Sequence, residues 1–183
     1  MFSYQKRLLF PVYVEHPDEK TAALFLEHFK GKDSELDTFA RYMVFRLHVD
    51  NPVVRDLFGM IGAEELSHME MIGVAVKKLG ISELSYHNSP ESWTAAKDQD
   101  EPEVYQMLQT IQISEERSKK SYLKLLGITT DTYLKKMLRF LINREEIHQR
   151  LIEKTMNLIE ENGGNEQFSS LIHEYKMSLR VVK

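Results

Sequence analysis

Two glutamate–histidine pairs, Glu65 with His68 and Glu145 with His148, interrupt helical seams that are otherwise apolar. Few folds can accommodate that. The first seam steps through Val54, Leu57 and Ile61, then Glu65 and His68, then Ile72, Ala75 and Leu79, always at helical intervals. The second runs Leu138, Leu141, Glu145, His148 and Ile152, with Met156 and Ile159 beyond. Spacing of this kind turns ionisable groups toward a core, where an uncompensated charge is costly.

The same chemistry recurs at a fixed offset. Glu35 and Glu115, Tyr42 and Tyr122, Glu65 and Glu145, and His68 and His148 are each 80 positions apart. Glu115 lies on the line defined by Val104, Leu108, Ile111 and Tyr122, and Glu35 and Tyr42 share a face two helical turns apart. A two-helix unit is thus used twice. The offset also separates Glu65 from its neighbour, because Glu64 corresponds to Arg144 rather than to a second acid. Glu64 is therefore expected at the surface with Glu70, Glu116 and Glu146.

Four long helices follow from the punctuation. The first runs from about Ser34, which has capping-box spacing to Asp37, to about Val49. The second opens at Asn51-Pro52 and closes at Leu79-Gly80. Residues 81–101 lose periodicity, collect Ser, Asn, Pro and Asp, and form one long crossover. The third helix runs from about Pro102 to Leu126 and stops at Gly127, and the fourth lies between Thr130-Asp131 and the turn at 162–164. A helical piece before Gly31 and a final amphipathic stretch carrying Phe168, Leu171, Ile172, Tyr175 and Leu179 flank them. These elements predict an all-α chain: a ferritin-like four-helix bundle with one long crossover, an N-terminal extension and a C-terminal helix. The expected organisation is one domain over 1–183, with the extension over 1–33, the bundle over 34–162 and the last helix over 165–183.

Composition excludes several chemistries. The chain contains no cysteine, so disulfides, thiolate zinc sites, iron–sulfur clusters and cysteine nucleophiles are all ruled out. A net charge of −4 without a single-sign block gives no reason to expect nucleic acid or a membrane surface as a partner. The apolar run near the N-terminus is broken by Pro11 and lacks a small-residue cleavage site, and no run approaches the roughly 20 residues of a membrane span. A cytoplasmic protein is expected.

A glutamate and a histidine three residues apart can converge on one ion. Two such pairs plus one glutamate from each remaining helix make a dimetal carboxylate set: Glu35, Glu65, His68, Glu115, Glu145 and His148. Two divalent cations would offset four buried carboxylates. Oxygen ligands with one imidazole per ion suit manganese or iron better than zinc, copper or calcium. One Glu-x-x-His alone is weak, since most such pairs are solvated neighbours, and it is the complete set that carries the inference. Tyr42 and Tyr122 fit either core aromatics with satisfied hydroxyls or groups bonded to the carboxylates. His16, His28, His48, His87 and His173 show no partner pattern, and Met60, Met69 and Met71 read as core filler.

The stretches "ELDTFARY" (35–42), "IGAEELSHMEMI" (61–72), "SEERSKKSY" (114–122) and "FLINREEIH" (140–148), with "YQKRLLFPV" (4–12), resemble the non-haem manganese catalase family, especially its short spore-coat branch. The resemblance implies that Glu35, Glu65 and His68 bind one manganese ion and Glu115 and His148 the other, with Glu65 bridging. It makes Glu145 an outer-sphere proton carrier, whereas in diiron relatives the same position is a ligand. It sets Tyr42 near the first carboxylate. Where that branch carries Ala-Arg after the third-helix glutamate, this chain has Ser118-Lys119, and a mobile ammonium does not replace a fixed guanidinium fork.

The expected activity is disproportionation of hydrogen peroxide to water and dioxygen by a dimanganese homo-oligomer. The alternatives are a diiron peroxidase or ferroxidase of the rubrerythrin and ferritin kind, with two iron ions, and a non-enzymatic spore-coat component with a structural metal site.

Overall fold

The computed structural model describes residues 10–30, 34–82, 84 and 103–180. Among these residues the chain forms six helices and no strand: α1 (Glu19–Lys30), α2 (Glu35–His48), α3 (Pro52–Lys78), α4 (Val104–Ile128), α5 (Thr132–Glu160) and α6 (Asn165–Ser178). The crossover expected over 81–101, with Trp93 in it, lies almost wholly outside the described residues.

The helix starts are those the caps predict. Ser34 Oγ accepts from the Asp37 amide at 3.4 Å, Asn51 Oδ1 from the Val53 and Val54 amides at 2.9 and 3.2 Å, and Asp131 Oδ1 from Tyr133 and Leu134 at 2.8 and 2.9 Å. Each cap satisfies amides that a helix start leaves without partners. Beyond α3 the chain turns at Gly80, whose φ of +119° suits glycine. Gly127 is different. It was expected to stop the third helix, yet α4 passes through it to Ile128, and the Thr129 amide closes the end on the Leu125 carbonyl. The end falls one residue past the expected stop, within the spread common at helix ends.

α2 pairs with α3 and α4 with α5, while α2 also meets α4 and α3 meets α5. α1 lies mainly against α3, and α6 against α5 and α3. The core divides into two apolar clusters. One joins Phe25 of α1 to Met71, Ile72, Ala75 and Leu79 of α3 and Leu134, Leu138 and Leu141 of α5. The other joins Leu57, Phe58 and Ile61 of α3 to Leu108 and Ile111 of α4, Leu151 and Ile152 of α5 and Phe168, Leu171 and Tyr175 of α6. Along both α3 and α5 the Glu-x-x-His pair falls between residues of the two clusters. A polar layer is therefore enclosed between two apolar plugs.

At that level α2 and α3 approach closely. A Cβ on Gly62 would lie 2.6 Å from Met43 Cε and 2.9 Å from Tyr42 Cβ. No larger residue fits without moving Tyr42.

Candidate metal centre

The structure brings all six expected side chains into the polar layer. Glu35, Glu65, His68, Glu115, Glu145 and His148 are buried. Glu35, Glu65, His68 and Glu145 each present a donor atom within 4.8 Å of the others, and Glu65, Glu115, Glu145 and His148 do the same. Glu65 and Glu145 belong to both groups. They are the two carboxylates placed to reach either of two ions.

Both imidazoles turn Nδ1 toward this cluster. His68 Nδ1 lies 3.1 Å from Glu145 and 3.2 Å from Glu65, while His148 Nδ1 lies 2.7 Å from Glu65 and 3.3 Å from Glu115. The rings stack with centroids 5.7 Å apart at 21°. Glu35 Oε2, Glu65 Oε1 and both oxygens of Glu145 are buried yet accept no hydrogen bond among the described residues. Buried polar atoms are normally satisfied, so unpartnered carboxylate oxygens converging with imidazole nitrogens form a donor set that fits two divalent ions.

Electrostatics in the metal-free protein point the same way. Burial, and then the charges of Glu65 and Glu145, push Glu35 well above the usual carboxyl range. Burial, and then Glu65 and Glu115, do the same to Glu145. Burial alone would raise Glu65, but His68 and His148 outweigh it and hold Glu65 well below that range. For both histidines burial acts downward, yet Glu65 and the other carboxylates hold them well above the ordinary imidazole value. Burial and mutual repulsion thus favour protonation of this cluster, an excess of negative charge that two divalent cations would offset.

The tyrosines resolve in favour of bonding to carboxylates, with crossed partners. Tyr42 donates to Glu115 and Tyr122 donates to Glu35. Tyr42 therefore serves the carboxylate on α4, not the neighbouring one on its own helix. Burial first, and then the facing carboxylates, raise both phenols, so they stay protonated and donate.

One expectation is overturned. Glu64 is buried at 4% exposure and forms a two-point ion pair with Arg144, which is fully buried. Burial alone would raise Glu64, but His148 and His68 hold it well below the usual range. The mismatch between positions 64 and 144 was itself the signal. Equivalent positions in a doubled unit can face each other across its axis, and an acid opposite a base there forms a pair.

Of the other acids, Glu146 is exposed, while Glu70 and Glu116 are half-buried. At the Ser118-Lys119 departure, Ser118 is buried with no hydrogen-bond partner for its hydroxyl among the described residues, while Lys119 Nζ donates to Gln149 at 3.0 Å and pairs with Glu116 at 3.3 Å. On the described part of the α4 face a guanidinium comes from another helix, as Arg41 donates to Ser114, the residue preceding Glu115.

Comparison with known proteins decides the family. The sequence pattern described as "Manganese containing catalase" matches residues 1–84 and 82–172. The chain belongs to the manganese-containing catalase family. A "Probable manganese catalase" of Clostridium acetobutylicum is 30% identical over 191 residues, covering 92% of this chain and 85% of the relative. "Protein CotJC" of Bacillus subtilis is 29% identical, covering 88% of this chain and 96% of that protein. The crystal structure of KatB, a manganese catalase from Anabaena PCC7120, superimposes with a TM-score of 0.74 at 24% identity, over 87% of this chain and 81% of that one. This last likeness bears on the fold, which is the all-helical fold of that manganese catalase.

Proposed function

We propose that this chain is a dimanganese catalase, converting two molecules of hydrogen peroxide into two of water and one of dioxygen. The observation that carries this is the pair of donor groups sharing Glu65 and Glu145, with buried carboxylate oxygens that accept no hydrogen bond among the described residues. Family membership supports the same activity.

Glu35, Glu65 and His68 would hold one ion and Glu115 and His148 the other, with Glu65 between them. Two manganese ions so held would supply a two-electron store, reduced by one peroxide molecule and reoxidised by the next. The protein's own contributions are positional and protonic. Tyr42 and Tyr122 pin the two terminal carboxylates from behind. Glu145, buried with neither oxygen hydrogen-bonded among the described residues, is suited to take up and return the protons that peroxide cleavage moves. The apolar plugs exclude bulk water along the bundle axis.

Several details extend the proposal. A homo-oligomer remains the expected assembly. The resemblance to the short spore-coat branch and the likeness to Protein CotJC support a spore-associated setting for the same reaction. No described helix is long and apolar enough to cross a membrane.

The test is elemental analysis of the purified protein followed by an oxygen-electrode assay. Two manganese ions per chain and one dioxygen per two peroxides consumed are expected. Manganese-loaded protein that evolves no dioxygen sinks the catalase reading. Bound iron with dioxygen-dependent oxidation of ferrous ion selects the diiron alternative instead.

A further inference from the structure

Glu64 is a buried carboxylate that the proposed chemistry leaves unused. Its two oxygens face the far side of both metal-facing imidazoles. Glu64 Oε2 lies 3.2 Å from His148 Nε2, and Oε1 lies 3.6 Å from His68 Nε2. Both Nε2 atoms are buried and have no hydrogen-bond partner among the described residues, and Glu64 is the carboxylate that faces them. A single carboxylate thus faces the Nε2 atoms of both stacked rings.

Glu64 is itself gripped. Arg144 meets both of its oxygens, and the Tyr175 hydroxyl on α6 donates to Oε2 at 2.9 Å while lying 3.0 Å from the Met60 carbonyl. Arg144 in turn reaches the end of α6, with Nη1 3.3 Å from the Ser178 carbonyl and Nη2 3.2 Å from its hydroxyl. Charge accounting gives this arrangement a reason. Four carboxylates balance two divalent ions, and a fifth buried carboxylate would spoil that balance unless a fixed cation accompanied it. Arg144 is that cation, and its planar fork suits a two-point pair.

We propose that Glu64 is a positioning residue for both imidazoles, fixing His68 and His148 with Nδ1 toward the metals and Nε2–H toward itself. α6 takes part by holding Glu64 through Tyr175 and Arg144 through Ser178, so docking of the C-terminal helix and retention of metal are coupled. This rests on the metal-centre reading above. An acceptor behind a ligand imidazole sets its tautomer and orientation, and coupling of this kind is reciprocal: metal tightens α6 as far as α6 tightens metal.

The experiment uses the full chain in three measurements. Manganese retention is titrated against a competing chelator, imidazole protons are read by nitrogen-15 NMR with zinc(II) as a diamagnetic stand-in, and amide exchange of α6 is compared with and without manganese. Wild type is expected to show two slowly exchanging Nε2–H signals and slower α6 exchange when loaded. Glu64→Gln is expected to broaden at least one of those signals and to weaken retention about 10- to 100-fold. Tyr175→Phe keeps the Glu64–Arg144 pair, so it folds even if Glu64→Gln does not, and it is expected to lose most of the metal-dependent protection of α6. Wild type that binds no manganese overturns the metal reading and this inference together. Wild type that binds two ions, with either variant matching it in all three measurements, overturns the inference alone.

Discussion

The Tyr122 hydroxyl of α4 donates to Glu35 of α2, crossing the bundle to a carboxylate on the opposite helical pair. Tyr42 and Glu115 make the reciprocal bond. Each tyrosine ties one copy of the repeated unit to the other, so these two bonds between the halves also fix the outer carboxylates. Replacing either phenol by phenylalanine leaves its aromatic packing and frees one carboxylate oxygen. Tyr122→Phe and Tyr42→Phe should each lower stability by about 1–3 kcal/mol, the range for a buried partner left unsatisfied. Urea denaturation of the metal-free protein measures this, and the double variant should show whether the two bonds act independently.

The proposed role of Glu145 predicts that binding and turnover can be separated. Glu145→Gln keeps size and polarity but removes the proton-carrying carboxyl, while Glu35, Glu65, Glu115 and both histidines remain. Retained manganese with a kcat lower by about 100-fold or more is expected, the scale of a lost general acid–base group. Metal analysis and the peroxide assay on the same sample check it, and loss of manganese instead would make Glu145 a ligand.

Gly62 permits the close crossing of α2 and α3. In Gly62→Ala the new methyl meets Met43 Cε, which can swing aside, and Tyr42 Cβ, which cannot without moving its helix. A loss of about 1–3 kcal/mol is expected, as for other overpacked positions. Tyr42 should also be drawn from Glu115, so chelator-induced metal loss should be faster than in wild type.

The metal-free protein should lose stability as pH rises. His68 and His148 are held well above the ordinary imidazole value of about 6.5. Their contribution is complete below about 6.5 and is lost as pH climbs through the raised folded values. Glu35 and Glu145, also raised, act in the same direction from the ordinary carboxyl range upward. Glu64 and Glu65, held low, stabilise above the ordinary carboxyl range and lose that contribution only as pH falls through their lowered folded values. Calorimetric melts of metal-free protein from about pH 5 to about pH 9 should therefore show a falling Tm. Manganese displaces the same protons, so its apparent affinity should rise with pH. A Tm that stays flat across that window contradicts the assignment.

Most of the bundle was legible because its signals are local. Ser34, Asn51 and Asp131 announce helix starts through side chains two or three residues from the amides they cap, and the seams of α3 and α5 show in a single line of text. The six cluster residues were legible because the unit is doubled, which turned two weak motifs into one strong pattern. Glu64 was misread for a non-local reason: its partner stands on another helix, and adjacency to Glu65 says nothing about what faces it. The crossed tyrosine bonds were hidden likewise, since spacing along a helix reports which face a phenol occupies but not which strand of the bundle it reaches. Gly127 marks the end of α4 to within one residue, since the helix closes at Ile128.

The encounter of Glu64 with Arg144 also bears on why both halves reside in one polypeptide. Two separate, identical hairpins associating about the same axis would oppose like with like at this position, either two anions or two cations in a dry interior. Joined in a single chain, the copies are free to diverge, and one can become acidic while its counterpart becomes basic. Covalent fusion thus permits a heterogeneous contact at the axis that no symmetric self-association of the hairpin could form.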